Sequence, residues 1–495
     1  MRLNDSEETN YADGSMVLGD TISDPYRLEN MQKAYNNLND SNAPISSVKA
    51  NYRYVRVLPA NQDELNVIEM DTALLLFDYP LNYEVIVSGT FYHDQSVQDS
   101  ILTWLYCVVP LEYQFPKGIN EELIYYVYIP PTESKGDFYY RLEEEAYRVV
   151  GYKDEEGNGE KDNNEVWTPS AYIKAWDDIL GCQIPLKGVK VVANYVTKIG
   201  VGYTKSNGKC DVDRSFSHKV HYRIKWERGY WDIRSGAFGQ AYYNGPKQKG
   251  EWELEIANNE KTILYATVHR AAQKFYYGNC LGLRRPNLSY GKTKIAVYDR
   301  NPWWGNGCCW GTWSLFGVIP DIIVAYEHTA STNIVFCTAV HELGHQSHLL
   351  HVGKPTYIQI AKEVYESWAC AIALELTNHH YKNDLGCSGF ACSSNFQTWY
   401  PGNNGDGNTD CYTPIFIDLM DSFNQHGLTN EHDYPNDVIS GYEIDFIQNN
   451  IISNAYGLSS LYTALINNKP NNNSITDSQI DNLMALYWGQ TYTRK

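Results

Sequence analysis

Two histidines four residues apart, with a glutamate after the first, lie in the stretch TNIVFCTAVHELGHQSHLLHVGKP: His341, Glu342 and His345. On a helix this spacing puts both imidazoles on one face, a single turn apart. Two imidazoles so placed can bind one tetrahedral zinc ion. The glutamate beside the first then stands where it can take a proton from a water on that metal. The chemistry is hydrolytic: the activated water attacks a carbonyl, and Glu342 returns the proton to a leaving amine. The stretch itself reads as a helix. Ser331 or Thr332 can serve as N-cap, an apolar run precedes the first histidine, and Gly353 and Pro355 supply the stop.

At these residues the chain resembles the zincin metallopeptidases. That resemblance implies a mixed sheet with an antiparallel edge over two long helices, with substrate lying along the edge strand, expected near Asp321 to Glu327. The third metal ligand separates the branches of the group. A metzincin arrangement would use His351, but His348 occupies the position where that pattern carries glycine. A residue with a side chain is costly at positive φ. A helix continuing to Gly353 also carries His351 away from the metal. The gluzincin arrangement takes a glutamate from the following helix, YIQIAKEVYESWACAIALELTN, which Thr356 and Gln359 are expected to open as a capping box. At about 1.5 Å rise per residue in an antiparallel hairpin, Glu366 comes level with the midpoint of His341 and His345. Glu366 is therefore the expected third ligand, and the text EVYESWACAIALEL resembles the glutamate helix of thermolysin-like gluzincins. Glu363 is expected either beside His345 or in solvent. His348 is expected to be hydrogen-bonded to Glu363, and Tyr412 and His426 are candidate oxyanion donors.

The elements that must position these residues occupy the second half of the chain. A helix over KTILYATVHRAAQKFYYG, strands KTKIAVYD and DIIVAYEH, and the motif and glutamate helices lead to an α+β zincin-type domain over 251–495. Residues 1–50 read as a polar lead, 51–135 as a β-rich domain and 136–180 as a helical connector containing FYYRLEEEAYRVVG and SAYIKAWDDIL. Within 181–250 the segment PLKGVKVVANYV…TKSNGKC resembles transthyretin-like or carboxypeptidase-regulatory-like β-sandwich modules. The whole chain resembles exported bacterial lipoproteins in which β modules precede a zincin-type peptidase domain.

Composition narrows the partners. With 59 acidic and 40 basic groups the formal net charge is −19, which repels phosphate backbones and argues against nucleic acid. No apolar run is long enough to span a membrane. The polar start, MRLNDSEETNYADGS, lacks a signal core, so a trimmed signal, with a lipid anchor on the removed segment, is expected for a secreted, periplasmic or cell-surface protein. Eleven cysteines leave at least one unpaired, and a local bridge involving Cys387, Cys392 or Cys411 is plausible from spacing. Calcium is a secondary expectation at Asp154–Glu165 and at Asp406–Asp410, both of which read first as polar loops. The aromatic loop Asn301–Trp313 either rims a cleft or packs under the sheet. The expected function is zinc-dependent endopeptidase action on extracellular proteins or glycoproteins. The alternative is a non-catalytic surface protein that binds glycans or proteins on a zincin scaffold, for which the 41 Tyr and 13 Trp would serve.

Overall fold

Strict alternation of buried and outward residues makes Ser170–Asp177 a strand. Ala171, Ile173, Ala175 and Asp177 face the core, while Tyr172, Lys174 and Trp176 are less buried. A strand thus takes the place of the helix expected over SAYIKAWDDIL. The period of two, together with β-branched and aromatic residues, overrides the helix-favouring alanines and lysine. The computed structural model describes residues 15–92, 94–97, 102–131, 137–152, 166–236, 239–286, 291–300, 307–309, 320–392, 413–424, 436–470 and 475–488. These residues form a mixed α+β architecture with five sheets.

The N-terminal part builds a three-stranded antiparallel sheet from Leu105–Pro110, Tyr52–Leu58 and Asn120–Val127. Helices Leu28–Leu38 and Phe138–Val149 add Met31, Ala34, Leu142 and Tyr147 to its main core. Within the segment expected to be β-rich, residues 72–81 form no strand, only a bridge between Phe77 and Tyr106. A helix over Gln62–Met70 precedes that segment, with the Asn61 side chain accepting from the Glu64 N–H at 2.9 Å.

Two four-stranded sheets follow. In one, Ser170–Asp177 pairs with Trp252–Ile256 on one side and with Lys209–Asp211 and Cys182–Pro185 on the other. The other runs in the order Tyr242–Gln248, Val220–Lys225, Lys190–Tyr195, Lys198–Tyr203. Apolar residues from both sheets enter one core with the helices of the C-terminal part.

That C-terminal part does not begin cleanly at 251. Trp231–Ser235 pairs in parallel with Thr293–Asp299, which pairs in parallel with Ile322–Tyr326. The division expected at 250/251 therefore runs through a sheet, because buried Trp231 and Ile233 share a core with Ile295 and Val297. The expected edge strand is displaced as well. Ile322–Tyr326 is internal, and Gly307–Cys309 pairs antiparallel on its free side, so that short strand is the edge among the described residues. Packed with this sheet are helices Thr262–Tyr277, Thr332–Val352 and Lys362–His379. No helix among the described residues is long and apolar enough to cross a membrane.

Candidate metal centre

The motif helix runs from Thr332 to Val352, the span expected from its stop signal. Gly353 ends it at φ 84°, a conformation open to a residue without Cβ, and its N–H closes on Leu349 O at 2.9 Å. The N-terminal cap comes from elsewhere. Ser331 makes no capping bond to the helix backbone. Instead the Asp178 carboxylate, one residue beyond the strand Ser170–Asp177, accepts from the Thr332 N–H at 2.8 Å, from Ser331 Oγ at 2.5 Å and from Thr332 Oγ1. Burial pushes the Asp178 carboxyl up, but these hydrogen bonds outweigh it and hold the group below its ordinary value. A carboxylate at a helix N-terminus also meets the positive end of the helix dipole.

The second helix, Lys362–His379, starts later than its expected capping box. Lys354–Tyr357 form a separate short turn of helix, and Gln359 Nε2 donates to Pro355 O instead of closing a cap. The proline at the start of that turn favours a tight helical corner after Gly353. The two long helices then pair antiparallel. Glu366 lies opposite His345, Cys370 lies opposite His341, and a Cβ at Gly344 would touch Ile372.

This register brings three donor atoms together. His341 Nε2 and His345 Nε2 stand 3.0 Å apart, and each lies 3.3 Å from Glu366 Oε2. Donors held 2.0–2.2 Å from a tetrahedral zinc stand about 3.3–3.5 Å apart, so the triangle has nearly the size such an ion requires. It is the one group of three or more metal-binding side chains among the described residues. The His341 and Glu366 side chains keep 17% and 26% of their surface, so the centre opens to solvent on one side.

The rings are held from behind. Tyr357 Oη lies 3.1 Å from His345 Nδ1, and Cys370 Sγ lies 3.6 Å from His341 Nδ1. With each Nδ1 carrying its proton toward these acceptors, the Nε2 lone pairs point into the triangle. Sequence reasoning missed both residues. Cys370 could have been found, since it sits one helical turn after Glu366 on the same face. Tyr357 follows a turn and carries no periodic signal. Removing the Tyr357 hydroxyl as Tyr357→Phe is expected to weaken zinc affinity about 10–100-fold with the fold intact, measured by competition with a chromogenic chelator.

Electrostatics divide the two carboxylates. Burial raises Glu366, yet the facing imidazoles of His345 and His341 overcome it and hold the carboxyl well below the usual range. Glu342 is buried and its Oε2 has no hydrogen-bond partner among the described residues. Burial pushes it up to about 8, with the charge of Glu366 adding and His341 opposing. A cation held by the three donors would oppose that rise.

The remaining expected residues fall outside the triangle. His351 Nε2 meets Ser453 Oγ at 2.7 Å, in line with a helix continuing past residue 348. His348 is buried and makes no hydrogen bond to Glu363. Its two ring nitrogens are unpartnered among the described residues, and the ring lies edge-on to Tyr357 at 5.1 Å. Burial, with His345 and His351 adding, drives it down to about 3, so it stays neutral. Glu363 contributes no donor to the triangle. Tyr412, His426, the loops Asp154–Glu165 and Asp406–Asp410, and Cys411 lie outside the described residues. So does the loop Asn301–Trp313, apart from the backbone of 307–309. Of the local bridges expected, Cys387 and Cys392 are not bonded to each other, and any bridge to Cys411 lies outside the described residues.

The chain matches no family model, no curated protein and no solved structure.

Proposed function

We propose that the chain is a zinc-dependent endopeptidase of the gluzincin type, hydrolysing peptide bonds of proteins or glycoproteins outside the cytoplasm. The observation that carries this reading is the His341–His345–Glu366 triangle, close to the size of a tetrahedral zinc site, with buried Glu342 next in sequence to its first member. His341, His345 and Glu366 are the residues that would hold the metal. When bound, zinc supplies a Lewis acid that polarises a carbonyl and lowers the pKa of a water. Glu342 takes the proton of the attacking water and hands it to the amine that leaves. Tyr357 and Cys370 keep the two imidazoles oriented. The mixed sheet with its antiparallel edge strand at Gly307–Cys309, packed with two long helices, supports a zincin-type layering around this site, in which an extended substrate would pair with the edge.

Phenanthroline treatment is expected to abolish cleavage of an unfolded protein substrate, and added zinc to restore it. Cleavage that persists after the metal has been stripped would sink this reading.

A further inference from the structure

One turn before His341 on the motif helix, Cys337 is buried, and its Sγ lies 3.8 Å from Cys392 Sγ. Cys392 is half-buried and belongs to the segment that follows the glutamate helix. Its position is set by its own backbone bond and by the residues that precede it. The Cys392 N–H donates to Asn378 Oδ1 at 3.0 Å, and Phe390 stacks on Tyr381 with ring centroids 4.2 Å apart. The Cys387 N–H is bonded to Tyr381 O at 2.9 Å. The two sulfurs are thus in contact on ordered backbone, about 1.8 Å beyond the length of a disulfide.

We infer that Cys337 and Cys392 form a disulfide that closes the metal-binding helix pair. The cysteines are separated by 55 positions, and the loop they would close contains His341, Glu342, His345 and Glu366. Closing a loop of that size restricts the unfolded chain strongly. The oxidant is a disulfide of the thiol–disulfide exchange class, oxidised glutathione serving as the probe. Cys392, the more accessible thiol, attacks as its thiolate and expels one glutathione thiol, leaving a mixed disulfide. Cys337 then attacks Cys392 Sγ and expels the second. Two protein thiols are oxidised to one disulfide, the external disulfide is reduced to two thiols, and the two protons leave with them. The bond does not depend on the peptidase reading.

The test oxidises the full-length chain with glutathione disulfide, blocks remaining thiols with N-ethylmaleimide and maps the peptides by mass spectrometry with and without reduction. The expected result is a reducible cross-link between the Cys337 and Cys392 peptides, with a melting temperature several degrees above that of the reduced protein. Cys392→Ser, at the less buried position, should lose both the cross-link and the difference between oxidised and reduced protein. Either of two results overturns the inference: both thiols remaining open to alkylation after oxidation, or Cys392 pairing with a different cysteine. Metal content and peptidase activity do not enter this readout, so its failure leaves the peptidase proposal standing, and the reverse.

Discussion

Replacing Glu342 by glutamine is expected to lower peptide hydrolysis about 10²–10⁴-fold while leaving the zinc content at the wild-type level. Glutamine keeps the shape of the side chain and fits the same buried space, but it cannot accept a proton at neutral pH. Glu342 is not one of the three donors, so the metal should stay. Its Oε2 also has no protein partner to lose among the described residues, which limits the structural cost of the change. Both numbers come from one preparation: single-turnover cleavage of an unfolded substrate, and zinc by elemental analysis. Retained zinc with near wild-type turnover would remove Glu342 from the mechanism. Loss of both would mean that the carboxylate holds the site together instead of acting on protons.

The second large effect concerns the junction between the N-terminal helices and the central sheets. Glu143, fully buried on the helix Phe138–Val149, accepts from Lys198 Nζ at 2.8 Å and from the Tyr26 hydroxyl. Lys198 is itself 2% exposed, on the strand Lys198–Tyr203. Water cannot reach this pair to screen it. Lys198→Met should therefore leave Glu143 as a buried charge without its lysine, at a cost of about 3–5 kcal/mol. The double variant Lys198→Met/Glu143→Leu should recover most of that loss, because the cost lies in the unpaired charge more than in the missing bond. Chemical denaturation of wild type, single and double variants checks this. A single variant as stable as wild type would mean that the junction relaxes and admits water. The N-terminal unit would then be only loosely coupled to the sheets that carry the motif helix.

What the sequence made legible was local or countable. The spacing of His341 and His345 needs only helical geometry, and the stop at Gly353 needs only the conformational freedom of glycine. Counting residues through the turn picked out Glu366 because two straight helices on a short connection leave little freedom of register. The detail of that connection escaped, since the T-x-x-Q pattern at Thr356 fits a cap that the short helix Lys354–Tyr357 pre-empts.

The misreadings share a cause: they depend on partners far away in the chain. Ser170–Asp177 is a strand because Trp252–Ile256 lies beside it. Trp231–Ser235 belongs to the C-terminal sheet because Thr293–Asp299 pairs with it. Asp178 caps a helix more than 150 residues later, and no window of sequence contains both groups. The hydrogen bond expected between His348 and Glu363 failed for a related reason. Angle on a helix fixes a face, but the face of His348 is occupied by the ring of Tyr357.

The most direct test of the proposed metal centre is zinc content, measured on wild type beside Glu366→Ala and His351→Ala after reconstitution and gel filtration. One zinc per wild-type chain is expected, retained by His351→Ala and lost by Glu366→Ala. Zinc lost from His351→Ala but kept by Glu366→Ala would contradict it, as would a wild-type protein that binds no zinc.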